Sequence, residues 1–486
     1  MNRILFDIVP AESVDRQVVV APITESGWSN LVSSGELALV ANEARVFAEL
    51  SAGSRFAAKP GEHLVGRVGG LVVHLVGLGS KFSTRSFREA AAHAVGVVPP
   101  ATPWNLVVPK GEPEAGATRR DLLAAAVQGL GLGAYRFKRS ASPAPAAPGP
   151  CGVVGGVDAA TIQDALQRVE GQLLTRDLVN TPADRLGPAD LVEAAREVGE
   201  RHGMRVRTLF DDEVDREGFK LVASTGRAAE RRPAVAIVEM GDPNRAPDLA
   251  LVGKGVVFDT GGLDIKTGGY MKLMRKDMGG AGTIIGALDA LGRLGFDGSL
   301  LAVLPAAENA IGPRAMRPGD VLDSMDGQTV EIGNTDAEGR LLLADGLCYA
   351  RKRGAKRILD VATLTGAARV ALGPDVPALF GNDEELVQLL LDTSKAQDEP
   401  VWRMPLVDDY EWTIDSPFAD VNNSGSDNRG GAITAALFLR RFARDTPWAH
   451  VDLYAWEDRG RPGTPRGANG MFVRTLTRAV ESLLAR

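Results

Sequence analysis

Two carboxylates and a guanidinium recur at every second position in the octapeptide Asn334-Thr335-Asp336-Ala337-Glu338-Gly339-Arg340-Leu341. If this piece is extended, Asp336, Glu338 and Arg340 point to one side. Gly339 then lets the backbone turn, and Leu341 to Leu347 reads as the start of a helix. Acids and a guanidinium gathered at a strand end are costly unless a cation or a bound anion sits among them. Taken alone, the pattern fits a functional site or a surface ion-pair cluster.

A second cluster lies upstream, within residues 251–282. The apolar run Leu249 to Val252 delivers Lys254, and Val256 to Phe258 delivers Asp259 to a Gly-Gly turn. Lys266 follows, and Asp277 precedes Gly279-Gly280 and an apolar helix from Thr283 to Leu291. Catalytic groups of open α/β sheets sit at such strand ends, and glycine there lets backbone approach a ligand. Any one Lys–Asp pair reads most simply as a salt bridge. Four carboxylates with two lysines on glycine-flanked strand ends are too dense a charge cluster to serve solubility alone. Such a donor set suits hard or borderline divalent cations: Mn, Zn, Mg or Co. None of the five histidines falls in either cluster, which argues against a His-rich zinc site. H-E-x-x-H, G-x-S-x-G and G-x-x-x-x-G-K-[ST] are all absent.

At these residues the chain resembles the leucine aminopeptidase (cytosol aminopeptidase) family. N-T-D-A-E-G-R-L is intact at 334–341, K-G-x-x-F-D-[ST]-G-G matches 254–262, and M-R-x-D-M-G-G matches Met274 to Gly280. The resemblance runs over roughly 165–486 and includes segments at 176–182, 308–310, 318–321, 362–367 and 419–423. It implies that Lys254, Asp259, Asp277 and Glu338 hold a tighter metal, and that Asp259, Asp336 and Glu338 hold a more exchangeable one. It further implies that Lys266 stabilises the oxyanion and that Arg340 holds a bicarbonate acting as general base. Two divalent metal ions and a bicarbonate per subunit, peptide substrates, a homohexamer and a cytoplasmic location follow from the same resemblance.

That chemistry makes opposite demands on the two lysines. A ligand must be unprotonated, so Lys254 would lose its proton at pH 7 at a cost of about 3.4 pKa units, roughly 4.6 kcal/mol, supplied by metal charge and burial. Lys266 must keep its proton to act as an oxyanion donor. Two metals can activate a shared water and take the free amino terminus, which explains exopeptidase action. Met274, Thr363, Leu364 and Gly366 match positions that line the family's pocket for the N-terminal side chain, with an apolar residue such as leucine as the implied preference. Departures are Tyr270-Met271-Lys272 in the loop after Lys266, and Tyr454-Ala455-Trp456-Glu457 where the family usually has small residues. Tyr454 is expected to narrow the pocket, and Glu457 to make it more polar.

The elements that must position these groups alternate. Strand candidates are Arg205–Leu209, Ala234–Val238, Leu249–Val252, Leu300–Leu304, Arg357–Val361 and Val451–Tyr454. Helices are expected at Asp190–Arg201, Gly282–Leu294, Leu341–Arg353 and Ile433–Phe442. This predicts a three-layer α/β/α catalytic domain with a central mixed sheet over 157–486. Residues 139–156 read as a Pro/Ala-rich linker, and 1–138 as a smaller N-terminal α/β domain. Gly77-Leu78-Gly79 in that domain reads as a turn rather than a phosphate loop.

Whole-chain properties narrow the function classes. Net charge of −7 gives no general pull toward nucleic acid or anionic membranes. The basic runs at Arg351–Arg353 with Lys356-Arg357, and at Arg440-Arg441 with Arg444, read as solvated helix ends rather than a nucleic-acid surface. Asp7 interrupts the short apolar start, against a signal peptide, and no run of apolar residues is long enough for a membrane span. Two cysteines, Cys151 and Cys348, far apart in sequence, argue against a disulfide framework and suit a reducing compartment.

Overall fold

The computed structural model describes residues 7–11, 16–34, 55–68, 71–108, 116–137, 147–427 and 429–484. The first six residues and residues 139–146 of the Pro/Ala-rich stretch lie outside the described residues. The chain folds as two compact units, one of residues 1–169 with 458–466, the other of 170–457 with 467–486.

In the first unit, among the described residues, six strands form one sheet: β1 (Ile8–Ala11), β2 (Val18–Thr24), β3 (His63–Val68), β4 (Leu71–Gly79), β5 (Trp104–Val107) and β6 (Cys151–Val154). Their order is β1-β6-β5-β2-β4-β3, parallel except for β3 against β4. Cys151–Val154, assigned to the linker by composition, is therefore an interior strand, because its apolar residues pair on both sides. The Gly77-Leu78-Gly79 segment is also corrected: β4 runs through it. A Cβ on Gly77 would meet the Lys59 carbonyl at 2.0 Å, so glycine serves close backbone approach. Helices Thr84–Val97 and Arg119–Gly133 each start with a capping box, from Ser83 and Thr118.

The second unit holds β7 (Arg205–Phe210), β8 (Ala234–Met240), β9 (Leu249–Gly253), β10 (Gly255–Asp259), β11 (Leu300–Asn309), β12 (Val321–Asp323), β13 (Thr329–Glu331), β14 (Ile358–Ala362), β15 (Ala378–Gly381), β16 (Trp402–Arg403), β17 (Val421–Asn422) and β18 (Trp448–Asp452). Its main sheet runs β16-β15-β18-β14-β9-β11-β8-β7, with β10 beside β11, and β12-β13-β17 make a small sheet. The main sheet is mixed: β9, β10, β11, β14 and β18 run parallel, while β7, β8 and β15 each oppose a neighbour.

Alternation along the central strands builds the three layers. Leu249 and Leu251 of β9 pack with helices Pro188–Arg201, Gly279–Arg293 and Val473–Leu484 in one core. Ala250 and Val252 face the other core, with helices Gly339–Lys352 and Gly431–Ala443. Small residues let these layers close up. A Cβ on Gly280 would meet the Val361 carbonyl at 2.0 Å, and one on Gly286 would meet the Gly171 carbonyl at 2.4 Å. Both cysteines are free and buried, and Cys348 packs among the apolar residues of the second core. Among the described residues, no helix is long and apolar enough to cross a membrane.

The parallel register sets up the site. Asp259 ends β10 opposite Asn309 at the end of β11, and Ala362 ends β14 opposite Asp452 at the end of β18. Lys254 follows β9 directly, its N–H donating to the Val361 carbonyl at 3.1 Å. The C-terminal ends of five neighbouring strands thus deliver polar side chains to one edge.

Candidate active site

The octapeptide is a turn followed by a helix, not an extended strand with its side chains on one side. Ala337 N–H donates to the Asn334 carbonyl at 3.2 Å, and the helix starts at Gly339, two residues before the expected Leu341. Asn334 Oδ1 accepts from Asp336 N–H at 2.7 Å, a local side-chain bond that competes with strand pairing. Asp264 Oδ2 accepts from Thr335 N–H at 2.8 Å, and Thr335 Oγ1 donates to the Gly261 carbonyl at 2.6 Å. Those bonds clamp the octapeptide onto the loop after β10. Gly261 and Gly262 hold φ of +86° and +64°, which fold that loop back and return Lys266 to the strand ends. Asp277 arrives at the end of the 3₁₀ helix Tyr270–Met278.

All seven charged residues expected at the site come together. One oxygen each from Asp259, Asp336 and Glu338 lies within 4.8 Å of the others. Lys254 Nζ lies 2.8 Å from Asp277 Oδ2 and 3.3 Å from Glu338 Oε1, and donates to the Thr363 carbonyl at 2.9 Å. Lys266 Nζ lies 2.7 Å from Asp259 Oδ2 and 2.5 Å from Asp336 Oδ1. Burial pushes the Glu338 carboxyl up to about 8, helped by Asp259 and opposed by Lys254. Burial also raises the Asp259 carboxyl. Burial opposes the charge of both lysines, yet the surrounding carboxylates hold each ammonium above its ordinary range. Four carboxylates against two ammoniums and the Arg340 guanidinium leave a net negative formal charge of −1, an arrangement that a hard divalent cation would offset.

Side chains the sequence reading left without a role hold the cluster in place. Asn309 Nδ2 donates to Asp259 Oδ1 at 2.9 Å and to the Thr335 carbonyl at 3.0 Å. Asn423 Oδ1 accepts from Gly333 and Asn334 N–H, while its carbonyl accepts from Arg340 Nη1 at 2.7 Å. Arg340 Nε is buried and, among the described residues, meets no acceptor. Burial lowers the Arg340 guanidinium to about 10, partly offset by Glu338 and Asp452, so it stays charged at neutral pH. The only sequence signal for Asn309 and Asn423 was their place inside segments that match the family.

The catalytic-domain model of the cytosol aminopeptidase family matches residues 173–477, and the model of its N-terminal domain matches 32–143. The chain belongs to the cytosol aminopeptidase family. It is a peptidase hydrolase. A probable cytosol aminopeptidase of Syntrophotalea carbinolica is 38% identical over 447 residues, covering 88% of this chain and 89% of that protein. The crystal structure of the Coxiella burnetii cytosol aminopeptidase superposes with a TM-score of 0.86 at 34% identity, covering 98% of this chain and 99% of the other. The bottromycin maturation enzyme BotP in complex with Mn gives 0.85 at 34% identity, covering 96% and 99%. These likenesses agree with the fold expected from the sequence.

In this aminopeptidase the cluster opens on a cleft of about 680 Å³. Met274, Thr363, Leu364, Gly366 and Tyr454 all line it, as do Lys276 and Arg369, which the sequence reading did not single out. Thr363 Oγ1 donates to Asp277 Oδ1 at 2.8 Å, so this wall joins the Asp277 end of the cluster. Tyr454 lies past β18 rather than within it, in a loop where Ala455 takes a φ of +59°. Glu457 is buried in a short strand and is not part of the wall, so the expected polar contribution from it is withdrawn. Exposed Tyr270 lines the cleft, while Lys272 does not. The basic runs are neutralised: Arg351 and Arg444 pair with Asp326, Arg353 with Glu239, Lys356 with Asp248, Arg357 with Glu385, and Arg440 and Arg441 with Glu411.

Gly339 gives this geometry a direct test. A Cβ there would stand 2.3 Å from Lys254 Cε and 2.6 Å from Nζ. Gly339→Ala is expected to displace the lysine and weaken divalent-metal binding by about tenfold or more, measured by competition with a chelating dye. Unchanged affinity in a folded variant would contradict the placement of Lys254.

Proposed function

We propose that this chain is a two-metal aminopeptidase that removes the N-terminal residue of peptides. The single observation that carries the reading is the convergence of Asp259, Asp336 and Glu338 beside the Lys254–Asp277 pair. On this reading Lys254, Asp259, Asp277 and Glu338 hold one divalent cation, and Asp259, Asp336 and Glu338 hold the second. Manganese is favoured by its presence in the BotP neighbour, with zinc, magnesium and cobalt as the other candidates. When bound, the metal pair supplies Lewis-acid polarisation and a water acidic enough to deprotonate near neutral pH.

The chain's own residues do the rest. Lys266 is only partly buried and sits on the cleft wall. With a metal pair held by Asp259 and Asp336, its ammonium would be free to donate to the oxyanion that develops at the scissile carbonyl. Arg340 fixes one nitrogen on the Asn423 carbonyl and keeps Nε for an added planar anion, the role we assign to bicarbonate. Its guanidinium is too basic to act as the base itself. Asp452 accepts from Leu364 and Thr365 N–H at 2.8 and 3.2 Å and from Thr365 Oγ1 at 2.6 Å, which fixes the wall against which the first residue lies. A homohexamer and a cytoplasmic location complete the proposal, the first measurable by light scattering and the second by cell fractionation.

Chelator-stripped enzyme reloaded with Mn, Zn, Co or Mg should regain hydrolysis of aminoacyl amides. Lys266→Ala should keep its metal content yet lose about 10²–10³ in kcat. Full activity in that variant would remove Lys266 from the mechanism. Bicarbonate-depleted enzyme should gain rate when bicarbonate is restored, and an Arg340→Ala variant should not respond. A flat response in the unmodified enzyme would count against the anion.

A further inference from the structure

Two cations on the cleft wall have no ion-pair partner among the described residues. Lys276 is 7% exposed, and among the described residues its ammonium has neither a hydrogen-bond acceptor nor an ion-pair partner, only the Tyr454 ring at 4.6 Å. Arg369 shares that ring at 5.1 Å and lies 5.9 Å from Tyr270, again with no carboxylate or carbonyl acceptor among the described residues. The cleft's carboxylates outside the metal cluster are committed elsewhere. Asp452 accepts from the 364–365 turn, Asp264 from Thr335, and Asp427 from Arg429. A cation over an aromatic face recovers only part of what burial of its charge costs, and two cations over one ring repel each other. The free protein therefore carries a positive pair, Lys276 buried and Arg369 half-buried, that Asp277 and Asp452 offset only at a distance and that no ion pair among the described residues neutralises.

The position of this pair fixes what would neutralise it. Lys276 adjoins Asp277, and Met274 and Thr363 flank it on the same wall. In the two-metal reading, on which this inference rests, the free amine of the substrate is held at the Asp277 end, so the first side chain faces Lys276, Arg369 and Tyr454. We propose that this pocket takes a carboxylate, making the enzyme selective for peptides that begin with aspartate or glutamate. The charged side chain would receive the Lys276 ammonium and the Arg369 fork, a charge-assisted arrangement that a neutral amide of the same shape cannot match. A leucine side chain would instead cover two cations and leave both without a counter-charge.

The test is kcat/KM of metal-loaded enzyme on the aminomethylcoumarin derivatives of Glu, Gln, Asp, Asn and Leu. These probes carry no C-terminal carboxylate, so any charge preference belongs to the first side chain. Glu should exceed Gln, or Asp exceed Asn, by about tenfold or more. That ratio should fall to near one in Lys276→Met and Arg369→Met. Each ratio compares two substrates on one protein, so a general loss of activity in a variant cancels. Gln equal to Glu and Asn equal to Asp, or a Leu rate above all four, would overturn the acidic pocket while leaving the aminopeptidase reading intact. No release from any probe by metal-loaded enzyme would overturn both.

Discussion

The mutual neutralisation of Asp259, Asp277, Asp336 and Glu338 by cations is the interaction on which this molecule depends. Three of these carboxylates are almost wholly buried, as is Lys254. Ionised groups out of water carry an effective penalty of several kcal/mol each unless charge and hydrogen bonds are returned to them. Lys254 and Lys266 return part of it, and Asn309 adds a donor to Asp259. The remaining negative charge suits the cluster to the divalent metal we propose for it. On the proposed reading the same residues burden the fold without metal and supply the activity with it.

The architecture makes sense as a solution to that constraint. Parallel strands ending in register can present Lys254, Asp259, Asn309 and Asp452 at one edge without long loops. The helix Gly279–Arg293 must come close enough to carry Asp277 to that edge, and a side chain on Gly280 would collide with β14. The helix Gly339–Lys352 must likewise start beside Lys254, and a side chain on Gly339 would push the lysine aside. Its buried Asp345 accepts backbone N–H from Leu221, Val222 and Met325, which ties the helix to surrounding chain.

Much of this was legible in the sequence, and the exceptions have physical causes. Apolar runs located the central strands because buried parallel strands need continuous hydrophobic side chains. The seven charged residues stood out by density. The octapeptide misled because alternate spacing is shared by strands and by a turn entering a helix; Asn334 and Asp264 decide the matter through side-chain bonds that spacing does not encode. Strand β6 was hidden beside a Pro/Ala-rich stretch, since four apolar residues carry little periodic signal. Asn309 and Asn423 are ordinary asparagines until the fold sets them against the cluster. Lys276, Arg369 and Tyr454 are separated by long stretches of chain, so their shared ring contact exists only after folding.

The central claim is that the carboxylate cluster holds two divalent cations sharing ligands. Titration of chelator-stripped protein with Mn²⁺, followed by electron paramagnetic resonance, addresses it without relying on turnover. The account predicts saturation at two Mn²⁺ per chain, with an exchange-coupled spectrum that Asp259→Asn and Glu338→Gln each abolish, because both ions would share those carboxylates. Saturation at one Mn²⁺, or two ions with uncoupled signals, would contradict it.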